Sequence, residues 1–132
     1  MKIVLDTNVF ISGIFWKGSP SKILNLWANN KIEVVVTKKI VSEYLRVIKK
    51  IDQSEELSSK WKAFIQKNSI MLIDKSSIKI CRDPDDDKFL NAALTGKVQY
   101  IVSGDDDQLI LKSIDTIKII TPAQFLNRIR FR

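Results

Sequence analysis

Short, mainly apolar runs alternate along this chain with longer stretches in which apolar positions recur every three or four residues. Residues 2–5 stop at Asp6, residues 32–36 at Thr37, residues 100–102 at Ser103-Gly104-Asp105, and residues 117–120 at Thr121. Mainly apolar runs of this length read as strands buried on both faces. Between them, Ile40, Val41, Tyr44, Leu45 and Ile48 form the stripe of an amphipathic helix, with Lys39, Glu43, Arg46 and Lys50 on another side. The same spacing predicts helices over 8–15, 21–28, 57–67, 86–94, from 106 or 107 through 111, and beyond 122.

Local signals set the boundaries. Ser19-Pro20 gives an N-cap followed by a first-turn proline, Thr37 caps the helix that starts at Lys38, and Thr121-Pro122-Ala123-Gln124 carries a capping box. Gly96 marks a helix end, and 52–56 reads as a connection. Residues 70–73 and 78–81 read as one strand each, or as a strand and an irregular stretch, around a turn-like 74–77. Strands alternating with helices predict one α/β domain over 1–132. Its architecture is a three-layer α/β/α sandwich with a central parallel sheet of about four to five strands. In open sheets of this kind ligands lie beyond the carboxy ends of the strands.

Composition narrows the chemistry. The chain has no histidine and one cysteine, Cys81, which removes imidazole acid–base catalysis, Ser-His-Asp triads and His or Cys zinc sites. Carboxylate, hydroxyl, amide and ammonium groups remain, a set suited to a hard cation such as Mg²⁺ or Mn²⁺. The lone thiol, an N-terminus that meets Asp6 too early for a signal peptide, and the lack of a 20-residue apolar run predict a soluble cytoplasmic protein with no membrane association.

The net charge is +7, yet seven of the fifteen acidic residues fall between Asp83 and Asp107. A basic chain with its acids gathered in a short interval has a polarised field, the footprint of a protein that meets a polyanion. Asp83, Asp85, Asp86 and Asp87 exceed what complementing a helix dipole requires, and Asp105-Asp106-Asp107 repeats the excess. Asp6 ends the first strand, where capping the next helix is its ordinary role. Glu43 on a polar helix face reads as a solvated partner of Arg46, and composition does not single it out from Glu33 or Glu55.

Taken in order, Leu5-Asp6-Thr7-Asn8-Val9, Ser42-Glu43-Tyr44, Asp83-Pro84-Asp85-Asp86-Asp87-Lys88-Phe89-Leu90 and Val102-Ser103-Gly104-Asp105 resemble the PIN domain family of metal-dependent nucleases. The likeness spans essentially the entire chain. It implies that Asp6, Glu43, Asp87 and Asp105 form the acidic quartet holding Mg²⁺ or Mn²⁺, with Asp107 as an outer contributor and Thr7, Asn8, Asp85 and Ser103 in support. Asp85 and Asp86 compete with Asp87 for the third position. Asp87 is favoured because it precedes Leu90 by three residues, which turns Leu90 and Ala93 inward and the carboxylate to the sheet edge.

The resemblance further implies an endoribonuclease that cleaves single-stranded RNA by water attack on a phosphodiester. Small members of this kind imply the toxin of a toxin–antitoxin pair, with an antitoxin protein as partner and a homodimer or higher homo-oligomer as assembly. Lys38, Lys39, Arg46, Lys49 and Lys50 are the expected RNA contacts. A housekeeping RNA-processing nuclease and an inactive RNA- or protein-binding module are the alternatives. A phosphohydrolase of the haloacid-dehalogenase type needs a second aspartate where this chain has Asn8.

Overall fold

The computed structural model describes residues 1–73, 87–104, 113–114 and 116–130. In chain order these form β1 (Lys2–Leu5), α1 (Thr7–Phe15), α2 (Ser19–Ala28), β2 (Glu33–Thr37), α3 (Lys38–Ile51), α4 (Glu55–Asn68) and β3 (Ser69–Leu72). After them come α5 (Asp87–Gly96), β4 (Tyr100–Val102), β5 (Ser113–Ile114), β6 (Ile117–Ile120) and α6 (Pro122–Arg130). The expected strand over 78–81 and the expected helix through 111 lie outside the described residues.

The sheet has the order β3-β2-β1-β4-β6-β5. Its first five strands pair in parallel, and two-residue β5 adds an antiparallel edge to β6 that the hydrophobic pattern did not announce. From β1 the chain steps outward to β2 and β3, then returns across the sheet to β4. Right-handed crossovers place α1 to α4 on one face and α5 on the other. The reversal leaves a crevice at the carboxy ends of β1 and β4, the place where such sheets bind ligands.

Strand residues Ile3, Val4, Leu5, Val34, Val35, Val36, Ile101 and Val102 are all buried, as a sheet covered on both sides requires. An aromatic cluster locks the helical layer over it. Phe10 of α1 stacks on Tyr44 of α3 at 4.1 Å between ring centroids and meets Trp61 of α4 edge-on at 5.5 Å. Trp27 of α2 joins through Phe64 at 4.9 Å, and its indole N–H donates to the Asn68 carbonyl at 2.9 Å, which satisfies the polar end of a buried ring.

Thr37 caps α3 by accepting from the Ile40 amide at 3.3 Å. The Thr121–Gln124 box is reciprocal, with bonds of 2.9 and 3.2 Å. Two boundaries fall elsewhere than expected. Gly18, not Ser19, is the cap of α2; its φ of 145° suits glycine, and its carbonyl accepts the first helical bond from Lys22 at 3.2 Å. Asp52 folds the preceding turn onto Ser54, so α4 starts at Glu55, inside the expected connection.

Gly96 ends α5 as expected, and Lys97 after it takes the left-handed turn with φ 51°. What requires a glycine there is contact. A Cβ on Gly96 would stand 2.9 Å from Leu72 and 3.0 Å from Val35, so its absence lets α5 seat against β2 and β3.

Candidate functional site

The crevice is assembled from the ends of β1 and β4 and the adjoining faces of α3 and α5. Asp6 is 2% exposed and serves as the N-cap of α1, one carboxylate oxygen accepting from the Val9 amide at 2.8 Å. Its other oxygen accepts from the Ser103 hydroxyl at 2.5 Å, across the point where the strand order reverses. The Asp6 amide donates to the Val102 carbonyl at 3.1 Å, so β4 holds both ends of this residue. Asp6 therefore caps a helix and also presents a buried carboxylate at the switch point.

Glu43 reaches the same place from α3. The Thr7 hydroxyl donates to one of its oxygens, and the Lys88 ammonium donates to the other. Arg46 stands 3.7 Å away and is largely exposed, so the ion pair expected from sequence exists but is the outer contact. Lys88 and Glu43 are only 15% and 16% exposed, so their pairing is shielded from solvent. A one-residue step along α1 thus links the Asp6 and Glu43 shells.

Tyr44 connects this crevice to the aromatic cluster. Its buried hydroxyl donates to the carbonyl of Leu5, the residue before Asp6. Burial raises the Tyr44 pKa well above the ordinary tyrosine range, and the nearby charges of Asp6 and then Glu43 push it the same way.

Asp87 opens α5 and is buried at 7% exposure, with Phe89 and Leu90 packed behind it. Asn8 is exposed on α1. Asp85, Asp105 and Asp107 lie outside the described residues. Among the described residues, no group of three or more acids converges closely enough to hold an ion alone. The donor chemistry still fits a hard divalent cation, since carboxylates and hydroxyls gather here without a nitrogen or sulfur ligand.

A groove of about 1180 Å³ opens beside Glu43. Lys38, Lys39, Arg46, Lys62 and Lys88 supply its charge, and Val41, Leu45 and Leu72 are among its apolar lining. Lys49 and Lys50 stand in the last turn of α3, outside this lining, and Lys49 lies 3.5 Å from Glu55 of α4.

Sequence reasoning missed Lys62, Lys88 and the polar role of Tyr44. A signal for Lys88 existed. An ammonium in the first described turn of a helix opposes the helix dipole unless a carboxylate compensates it. Glu43, 45 positions earlier, supplies that carboxylate.

Fold and site together define an α/β/α domain with hydrogen-bonded carboxylates at the switch point of a parallel sheet. Residues 2–107 match the family model described as PIN domain, and the chain belongs to that family. An uncharacterized protein of Methanocaldococcus jannaschii is 30% identical over 140 residues, covering 96% of this chain and 90% of its own. The crystal structure of VapBC2 from Rickettsia felis bound to a DNA fragment from their promoter superposes with a TM-score of 0.63. That match covers 90% of this chain and 97% of the other at 16% identity, a shared fold. Among the described residues no helix is long and apolar enough to cross a membrane.

Proposed function

We propose that this chain is a Mg²⁺- or Mn²⁺-dependent endoribonuclease that hydrolyses phosphodiesters of single-stranded RNA. The observation that carries the reading is the Asp6 carboxylate, buried and held by Ser103 across the β1–β4 crevice, with Glu43 held by Thr7, the residue that follows Asp6. Asp6, Glu43 and Asp87 together with Asp105 are the proposed ion-holding set, Asp107 an outer contributor, and Asp85 and Asn8 supporting groups. When bound, the ion supplies an activated water and offsets charge on the scissile phosphate.

The chain's own groups do the positioning. Ser103 and the Val9 amide fix both oxygens of Asp6, and Tyr44 ties the preceding carbonyl to α3. Thr7 orients Glu43. Lys38, Lys39, Arg46 and Lys62 line a groove in which a phosphate chain can be drawn toward the carboxylates, with Lys49 and Lys50 extending the positive field along α3.

The small domain suits the toxin half of a toxin–antitoxin pair, restrained by a partner protein and assembled as a homo-oligomer. The shared fold with VapBC2 supports that placement. The test is incubation of the protein and Asp6→Asn with single-stranded RNA under Mg²⁺ or Mn²⁺. Fragments ending in 5′-phosphate and 3′-hydroxyl are expected from the first, and about a thousandfold slower from the second. RNA binding without cleavage at any ion concentration selects the inactive binding module instead. Growth arrest on expression alone, relieved by the adjacent gene product, separates the toxin from a housekeeping nuclease.

A further inference from the structure

Glu43 accepts from an ammonium of its own chain. Lys88 Nζ donates to one of its oxygens while Thr7 donates to the other, so both faces of the carboxylate are engaged by protein groups. The lysine follows Asp87 immediately in α5, its partner lies on α3, and both side chains are largely shielded from water. A shielded pair of this kind persists only where geometry and further hydrogen bonds compensate its desolvation, and Thr7 supplies such a bond.

We propose that Lys88 is a positioning residue that competes with the divalent ion for Glu43, holding the carboxylate in place in the ion-free protein and yielding it when an ion binds. This rests on the reading of Glu43 as part of an ion-holding set. An ammonium and a divalent cation cannot both take the same carboxylate oxygen at close range, because two positive centres would then stand within a few ångströms of each other. An ion that takes the oxygen held by Lys88 must therefore open the Lys88–Glu43 contact. Lys88 also lines the groove, so the freed ammonium can turn toward its open, solvent-facing side.

The competition sets a direction for each variant. If the contact is closed nine-tenths of the time, it weakens apparent ion affinity by about tenfold, the fraction of competent sites entering directly into the dissociation constant. Removing the ammonium should then tighten ion binding while loosening the ion-free protein. A merely structural lysine would weaken both.

The experiment titrates Mn²⁺ alone into the full chain by calorimetry, comparing wild type, Lys88→Met and Lys88→Arg, with circular dichroism to verify the fold. About tenfold tighter binding by Lys88→Met, near wild-type affinity for Lys88→Arg and a lower melting temperature for ion-free Lys88→Met are expected. Equal or weaker binding by folded Lys88→Met overturns the proposal and leaves the nuclease reading standing. If wild type binds no Mn²⁺, both fall.

A second measurement needs no variant. Lysine acylation of the wild-type protein, mapped by mass spectrometry, should proceed faster at Lys88 when Mg²⁺ is added while Lys39 reacts unchanged. A Lys88 rate that stays constant or falls on Mg²⁺ addition overturns the competition even if Lys88→Met does not fold.

Discussion

The two ends of the crevice hold their carboxylates by different means. At the β1–β4 end, Asp6 accepts from a backbone amide and a serine hydroxyl, both neutral donors. At the α3–α5 end, Glu43 accepts from a threonine hydroxyl and an ammonium, and the ammonium opposes its charge directly. Backbone-anchored, neutral support makes Asp6 the fixed point of the site. Glu43 is held by a long side chain that can exchange partners, so it is the adjustable one.

The largest expected effect tests that asymmetry in activity. Asp6→Asn should lower the RNA cleavage rate by about three orders of magnitude, equivalent to roughly 4 kcal/mol of transition-state stabilisation. Glu43→Gln should cost less, about 10- to 100-fold, as expected for a group already partly compensated by its neighbours. Single-turnover rates on one RNA measure both. Equal losses would break the comparison by giving the two carboxylates the same weight.

Next in size is Ser103→Ala, which removes a donor to Asp6 and leaves the helix cap from Val9 in place. Metal affinity should fall about 10- to 100-fold, the usual effect of deleting an outer partner of a ligand, with little change in secondary structure. Mn²⁺ calorimetry and circular dichroism together check it. Unchanged affinity would mean that the Asp6 carboxylate does not depend on β4 for its orientation.

Much of this was legible in the chain, for reasons that differ by residue. Thr37 and the Thr121–Gln124 box act within one helical turn, so local rules located them. Mainly apolar strands and their terminal polar residues marked the sheet and the position of its carboxy edge. Glu43 was different: a helical glutamate looks solvated until partners 36 and 45 positions away fold onto it. Only the family resemblance selected it. Gly96 was legible as the end of α5 by a local rule, whereas the close approach of Leu72 and Val35 that demands a glycine there comes from strands distant in sequence. The start of α2 slipped by one residue because a backbone angle, not a side-chain cap, decides it.

Tyr44 offers a smaller and more structural test. Tyr44→Phe keeps the ring stacked on Phe10 but deprives the Leu5 carbonyl of its donor, and should cost about 1–2 kcal/mol of stability at neutral pH. The pH dependence has a definite sign. A folded-state pKa raised above the unfolded value of about 10 means that the native state holds the proton longer. The associated stability is fully present below about pH 10 and is lost as pH rises toward the folded-state value. The gap between wild type and Tyr44→Phe in urea midpoint should therefore narrow above about pH 10. A gap that widened there would contradict the burial of this hydroxyl between carboxylates.

The smallest effect separates the two ends of α3. Lys39 lines the groove near Glu43, whereas Lys49 lies 3.5 Å from Glu55 at the far end, in a pair whose members are 51% and 80% exposed. An exposed pair of this kind is screened by water and salt, so Lys49→Met should change stability by about 0.5 kcal/mol or less. RNA binding gives the sharper contrast. Lys39→Met should reduce the slope of log affinity against log salt by about 0.7, the loss of one phosphate contact to a single strand, while Lys49→Met leaves that slope within error. Filter binding with an uncleavable RNA analogue over a range of salt concentrations measures both. Equal slope changes would mean that the phosphate path follows the whole exposed face of α3 instead of the groove beside Glu43, and the adjustable end of the crevice would lose its place on the substrate's route.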